Sequence, residues 1–332
     1  MDARLVKEIP DGNGWQYEPK WDGFRCLVFR ERGAVELQSK SGQPLTRYFP
    51  ELIAAFSDLE SDLFVLDGEI AVPVEGRFSF DDLLQRIHPA QSRVQRLSRE
   101  HPAMFIAFDL LVQPEGRSLL DKPLQERRKR LEEFARKDFR SSDLLRLSPA
   151  TTDVRLARKW FQSVGADLDG IIAKRLDAPY KTGERTGMEK VKLTRTADCV
   201  VGGFRYAAKK KVVGSLLLGI YDENGLLHHV GFCSGLSAAE RENLLPKLKK
   251  LIQPPGFTGA APGGPSRWST ERSTQWEPLK PELVVEVGFD HFTGNRFRHG
   301  TSLIRWRPDK SPRQCRMDQV APPGKGSLNL LQ

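Results

Sequence analysis

Along the first half of the chain, short apolar–polar alternations trade places with runs of helical period. Gly14–Phe29 reads as strand, turn, strand, and Val35, Leu37 and Ser39 continue the sheet at period two. Leu52, Ile53 and Phe56 share a face of a short helix predicted over Pro50–Phe56. Phe64–Val72 and Met104–Leu111 predict buried strands, the first carrying Gly68. Helices follow at Leu124–Lys137 and Val154–Val164, then strands at Gly170–Lys174 and Glu189–Leu193.

Around Thr196–Gly203 the pattern changes to short strands with turns: Val200–Arg205, Ser215–Tyr221 and, after an Asp222-Glu223-Asn224-Gly225 turn, Leu227–Phe232. One helix fits Ala238–Ile252, a Pro/Gly-rich connector spans Pro254–Pro265, and strands fit Leu283–Phe289 and Ser302–Arg307. About five strands, one helix and basic loops suit a small Greek-key barrel of the OB type. Ala321–Gln332 reads as a loose tail. The predicted class is α+β, with no internal repeat.

The length of 332 residues suggests two domains, and 39% hydrophobic with 29% charged residues allows real cores. No apolar run approaches the roughly 18 residues of a membrane span. The first ten residues lack the apolar core of a signal peptide, so a cytosolic protein is expected. Four cysteines without C-x-x-C spacing argue against a zinc knuckle or a disulfide framework. With H-E-x-x-H, the P-loop motif and G-x-G-x-x-G all missing, zinc protease, P-loop ATPase and Rossmann dehydrogenase readings lose their support. A net charge of +9 shifts the expected partner toward a polyanion, nucleic acid first; a merely soluble basic enzyme is equally compatible with charge alone.

Candidate chemistry begins at Lys20-Trp21-Asp22-Gly23. On a strand Lys20 and Asp22 face the same way, and Gly23 permits a tight turn and close backbone approach. Alone the tetrapeptide is weak, because chance supplies it in about one chain in ten of this length. It is followed in order by Ser39-Lys40-Ser41-Gly42, Asp67-Gly68-Glu69, Phe108-Asp109, Asp169–Lys174, Lys190-Val191-Lys192 and Arg307-Pro308-Asp309-Lys310. This series resembles the covalent nucleotidyltransferases: ATP-dependent DNA ligases, RNA ligases and capping enzymes. Glu18–Arg25, Ala173-Lys174-Arg175 and Leu303–Lys310 are most similar to bacterial ATP-dependent DNA ligases of the Ligase C type and to the ligase module of end-joining Ligase D. An RNA ligase or a capping-type guanylyltransferase is the alternative within the superfamily.

The resemblance implies a nucleotidyltransferase domain of ATP-grasp-like antiparallel sheets with helices over 1–195, an OB-fold domain over 196–313 and a C-terminal tail over 314–332. It implies ATP as adenylate donor, Mg²⁺ or Mn²⁺, and Lys20 as nucleophile for a lysyl-AMP that passes AMP to the 5′-phosphate of a DNA nick. A lysine has an ordinary pKa near 10.4, so cations such as Arg25, Lys190, Lys192 and the metal are expected to activate it. Phe108, otherwise a core residue of an apolar strand, would stack on adenine; Glu18 would face the purine edge. Arg25 and Lys40 would hold ribose, phosphate or the approaching nick. Relatives commonly carry Arg where Lys40 stands, so the bidentate fork is lost there. Glu69 would contact ribose or metal, and Asp169, in a position usually filled by Glu, would bind the metal. Lys174, Lys190 and Lys192 would contact phosphates, although a strand lysine pair is otherwise a solvated face.

Arg307, Asp309 and Lys310 would orient pyrophosphate, with Thr194–Asp198 as the hinge of a closing domain. Two basic patches, Arg205 with Lys209, Lys210 and Lys211, and Arg296, Arg298, Arg305 and Arg313, would neutralise DNA phosphates without reading bases. The partner implied is nicked double-stranded DNA, with a repair polymerase or an end-binding protein as further candidates. A monomer that does not engage membranes is expected, a minimal two-domain enzyme in the bacterial cytosol, associated with the nucleoid.

Overall fold

The computed structural model describes residues 1–163, 168–208, 210–263, 275–320 and 327–331. Its chain divides into two compact units, Met1–Leu193 with Pro322–Gln332, and Thr194–Ala321.

The first unit holds two main sheets. Strands β1 (Arg4–Leu5), β2 (Trp15–Trp21), β3 (Phe24–Glu31) and β4 (Ala34–Ser39) precede helix α1 (Pro50–Ser57) and β5 (Leu63–Ala71). A ribbon of β6 (Pro73–Val74) and β7 (Arg77–Phe78) leads to α2 (Phe80–Gln85), α3 (Gln91–Glu100), β8 (Met104–Val112), α4 (Leu124–Asp138) and β9 (Leu145–Leu147). Then come α5 (Val154–Ser163), β10 (Leu168–Arg175) and β11 (Met188–Lys192). One sheet has the order β1-β11-β10-β2, the other β4-β3-β5-β8-β9.

Period-two burial explains how these strands serve two layers. Cys26 and Val28 of β3, Phe64, Leu66 and Ile70 of β5, and Phe105 and Ala107 of β8 enter one core with Leu52 and Phe56 of α1 and Leu131 and Phe134 of α4. The opposite parity carries Ala71 and Ile106, which pack with Trp21 and Leu168 of the other sheet. Leu52 and Phe56 stand one helical turn apart, and Pro50 opens α1 at a position where its missing N–H costs nothing.

The α+β class stands, but the sheets are not wholly antiparallel. Strand β1 pairs parallel with β11, and β9 parallel with β8. Each is a short edge strand reached through a long connection, which is the condition for a parallel pair. Helices α2 and α3 escape the sequence pattern because their apolar content is sparse: α3 buries only Val94 and Leu97.

The second unit comprises β12 (Arg195–Tyr206), β13 (Val213–Tyr221), β14 (Leu227–Cys233), α6 (Ala238–Lys249), β15 (Glu277–Pro278), β16 (Val284–Phe289), β17 (Phe292–Thr293), β18 (Arg296–Phe297) and β19 (Ser302–Trp306). Helix α6 starts at a reciprocal Ser237–Glu240 capping box. The main sheet runs β14-β13-β12-β16-β19, with β15 beside β12. This is the strand content expected of an OB fold, but the described residues form no closed barrel. The outer strands meet at one isolated parallel bridge, Cys233 to Thr301. Phe232 lies 40% exposed, so the edge of β14 is not covered by a continuous ladder.

Two further expectations change. Arg195–Asp198 pair in register with Phe289–Glu286, so the proposed hinge residues 195–198 are laddered strand. The C-terminal stretch is not a loose tail throughout: Cys315 and Val320 are buried in the second unit, and Leu330 and Leu331 pack against Trp21, Ala71, Ile106 and Leu168 of the first. Apolar side chains spaced too sparsely to show a period still find a core.

Candidate active site

Lys20 is the penultimate residue of β2 and lies opposite Gly170 of β10. Its ammonium forms an ion pair with Asp169 Oδ2, and the other oxygen, Oδ1, lies 3.5 Å from Lys192 Nζ. The direct partner of Lys20 is therefore Asp169, expected as a metal ligand, rather than one of the cations expected to activate it. Cations do surround the pair: Lys190 has a pKa below the ordinary lysine value through burial and repulsion from Lys20 and Lys192. Lys190 and Lys192 stand at i and i+2 on β11, opposite Ile172 and Gly170.

Glu18 shares the face of Lys20 two residues earlier. It is buried and accepts hydrogen bonds from Lys174 Nζ and Gln16 Nε2, each at 2.8 Å. Lys174 also donates to the Phe108 carbonyl at 3.4 Å and stands 4.7 Å from the centre of the Phe108 ring.

The second sheet contributes the opposite parity of β3, β5 and β8. Arg25 faces Glu69 in register. Its guanidinium forks onto the fully buried Asp67 at 3.0 and 2.7 Å, and Tyr180 Oη donates to Asp67 at 2.8 Å. Arg25 also lies 5.7 Å from the Phe108 ring centre. Burial pushes the Glu69 carboxyl up to about 8, against the pull of Lys20 and Arg25. Gly23 is needed for close approach: a Cβ there would lie 2.2 Å from the Ile70 carbonyl oxygen and 2.9 Å from Glu69 Cγ. Asp22 lies near enough to raise the Glu69 carboxyl further.

A cleft of about 870 Å³ is lined by Glu18, Lys20, Arg25, Lys40, Glu69, Phe108, Lys174 and Lys190. Asp169 and Lys192 join it through Lys20. Phe108 is half-buried at the cleft, whereas Phe105 of the same strand fills the core. Arg185 is exposed on the 176–187 connection. Sequence reasoning missed Asp2 and Ala3, which line the cleft, and Asp67, Tyr180 and Gln16, which hold Arg25 and Glu18. Asp67 sits at i−2 from Glu69, so strand parity was its available signal; β1 is too short to show a period.

In the second unit Arg307, Asp309 and Lys310 converge on a residue singled out only as part of a hinge. Arg307 donates to Asp198 at 3.0 Å and to Asp309 at 2.9 Å, and Lys310 donates to Asp198 at 2.6 Å. The hydrogen bond Arg307 donates to Asp309, with Asp198 and Glu286 behind it, raises the Arg307 pKa above its ordinary value. Lys210, Lys211 and Arg296 are exposed. Arg305 is exposed but donates to Glu286 at 2.6 Å, and Arg313 donates to the Gly225 carbonyl at 2.9 Å. Burial lowers the Arg205 pKa, and Arg298 is half-buried. Lys209 lies outside the described residues.

The lysine-bearing strand end, carboxylates and several cations thus share one cleft. The family model for the ATP-dependent DNA ligase domain matches residues 3–192, and that for the ATP-dependent DNA ligase C-terminal region matches residues 209–310. The chain belongs to the ATP-dependent DNA ligases. It is 43% identical to DNA ligase C2 of Mycolicibacterium smegmatis over 99% of this chain and 96% of that protein. It is 34% identical to the multifunctional non-homologous end joining DNA repair protein LigD of Mycobacterium tuberculosis over 90% of this chain and 37% of that protein. A solved Lig E DNA ligase shares the fold at a TM-score of 0.56 and 16% identity, covering 92% of this chain and 100% of that one. These matches are to DNA ligases and give the RNA ligase and capping readings no support. The family uses ATP, a covalent AMP and a divalent metal, and acts on nicked DNA. Among the described residues no helix is long and apolar enough to cross a membrane.

Proposed function

We propose that Lys20 is the residue that carries AMP, and that the first unit is the adenylation domain. The observation that carries this is the Lys20–Asp169 pair at a cleft also lined by Glu69, Phe108, Lys174 and Lys190. Lys20 Nζ attacks the α-phosphorus of ATP; the phosphorus–nitrogen bond forms, the bond to the bridging oxygen breaks, and pyrophosphate leaves with that electron pair. The ammonium loses one proton to solvent before it can attack, and the nitrogen loses a second as the phosphoramidate forms. Lys190, Lys192 and Lys174 stabilise the phosphate oxygens, and Phe108 offers a ring face to adenine. Glu18, already accepting from Lys174 and Gln16, faces the base, and Arg25 with Lys40 faces ribose and phosphate. The AMP then passes to the 5′-phosphate of the nick, and the 3′-hydroxyl displaces it to seal the strand.

The residues fit a divalent cation. Asp169 and Glu69 present carboxylate oxygens, and no group of three or more metal-ligating side chains occurs among the described residues. That composition suits Mg²⁺, which is commonly held by one or two carboxylates together with substrate phosphates. When bound, the metal supplies charge neutralisation at the phosphates.

Arg307, Asp309 and Lys310, preassembled on Asp198, orient pyrophosphate, and Arg205, Lys209, Lys210, Lys211, Arg296, Arg298 and Arg305 contact DNA phosphates. The enzyme acts in DNA repair in the bacterial cytosol as a monomer, alongside a repair polymerase or an end-binding protein. Incubation with ATP labelled at the α-phosphate tests the nucleophile. Label is expected on wild type and none on Lys20→Ala; a labelled Lys20→Ala protein that seals nicks overturns the assignment.

A further inference from the structure

The cleft carries an anion that the transfer chemistry does not use. Asp2 lines it, with its carboxylate 2.8 Å from Lys40 Nζ and 3.9 Å from Arg25 Nη1. This is not the end of a loose arm. The Asp2 N–H donates to the Glu184 carbonyl at 2.8 Å, Arg25 Nη1 donates to the Met1 carbonyl at 2.5 Å, and Arg4–Leu5 pair with Glu189–Lys190. Two residues past that pairing strand's start, β11 presents Lys190 to the same cleft.

We propose that Asp2 is a specificity-determining residue of this cleft, its carboxylate competing with a phosphate oxyanion for Lys40 and Arg25. A cation one hydrogen bond from a carboxylate offers fewer free donors to a second anion, and the fixed negative charge repels that anion in a site partly shielded from water. Lys40 in turn keeps Asp2 ionised, holding its carboxyl below the ordinary aspartate range. The grip on phosphate is thereby set lower than the cations alone would give, so a bound phosphate can leave between steps. The oxyanion is either a phosphate of ATP or the 5′-phosphate of the nick, and the inference rests on the cleft being the nucleotide site.

Full-length wild type, Asp2→Asn and Asp2→Glu are compared in two arms: the KM for ATP in self-adenylation, and the Kd of the pre-adenylated protein for nicked duplex bearing a 5′-phosphate or a 5′-hydroxyl. Asp2→Asn is expected to lower KM, or to strengthen preference for the 5′-phosphate, by about three- to tenfold. The gain should fall on KM rather than kcat, shrink with added salt, and disappear in Asp2→Glu. The arm that responds identifies the phosphate. No gain in either arm, or an equal gain in Asp2→Glu, overturns the proposal. A wild type that takes no label from ATP would instead overturn the reading of the cleft.

Discussion

Lys20 and Asp169 are held against each other by strand register: β2 brings Lys20 opposite Gly170, and the neighbouring carboxylate closes on the ammonium. The same carboxylate reaches Lys192 at 3.5 Å, so one acidic side chain fixes two of the lysines implied in phosphate chemistry. Asp169→Ala is expected to slow self-adenylation by about 10- to 100-fold, as loss of an orienting partner typically does. Asp169→Glu should recover part of the rate. Wild-type rates in Asp169→Ala, measured by label transfer from ATP, would remove Asp169 from the positioning of Lys20.

The Glu18–Lys174 pair sits deeper, with Glu18 2% and Lys174 6% exposed. Removing one partner strands the other charge in a poorly solvated place. Lys174→Met should therefore cost about 3 kcal/mol or more, and lower the melting temperature by roughly 6–12 °C. Lys174→Met combined with Glu18→Gln should recover much of that loss, since no charge is left unpaired. Thermal unfolding of the two single variants and the double variant measures this; additive losses would show that the two side chains are not coupled.

Gly170 is demanded by the space between strands. Its φ is +142°, and an added Cβ would fall 1.8 Å from the Val191 carbonyl oxygen. Gly33 also has positive φ, at +83°, but nothing lies within 4 Å of its added Cβ. Gly170→Ala should destabilise by more than about 3 kcal/mol, and Gly33→Ala by about 1 kcal/mol. Equal denaturant midpoints for the two variants would mean that backbone crowding at Gly170 is relieved by strand movement.

The ordered lysines and carboxylates were legible through the order of their motifs and the resemblance it carries, not through the apolar pattern of their strands. What escaped has physical causes. In β8 both parities are apolar, since Phe105 and Ala107 enter one core while Ile106 faces the other sheet, so Phe108 is singled out by the motif resemblance and not by the pattern of the run. Asp198 acts through Arg307, 109 positions away, and no local period carries such a pairing. Asp2 precedes a two-residue strand that has room for no alternation. The expected barrel depended on closure between β14 and β19, where the pattern predicts strands but says nothing of how far their ladder extends.

His229 of β14 gives the second unit a pH dependence. Its ring meets Phe257 edge-on at 5.4 Å, and its buried Nε2 has no hydrogen-bond partner among the described residues. Burial first, then Arg296 and Arg205, lowers its pKa to about 4, against a backbone contact from Gly231. In the unfolded chain the imidazole titrates near 6.5. Between these values the unfolded state binds more protons, so stability rises with pH: the contribution is present above about 6.5 and lost as pH falls through about 4. The acid-side loss attributable to this residue is roughly 2–3 kcal/mol. Urea unfolding of the full chain between pH 4 and 7 should therefore show a smaller acid-side loss in His229→Gln than in wild type. Parallel pH profiles for the two proteins, or an imidazole that titrates near 6.5 by NMR in the folded protein, would show that His229 stays accessible to protons and that the pH dependence of the unit arises elsewhere.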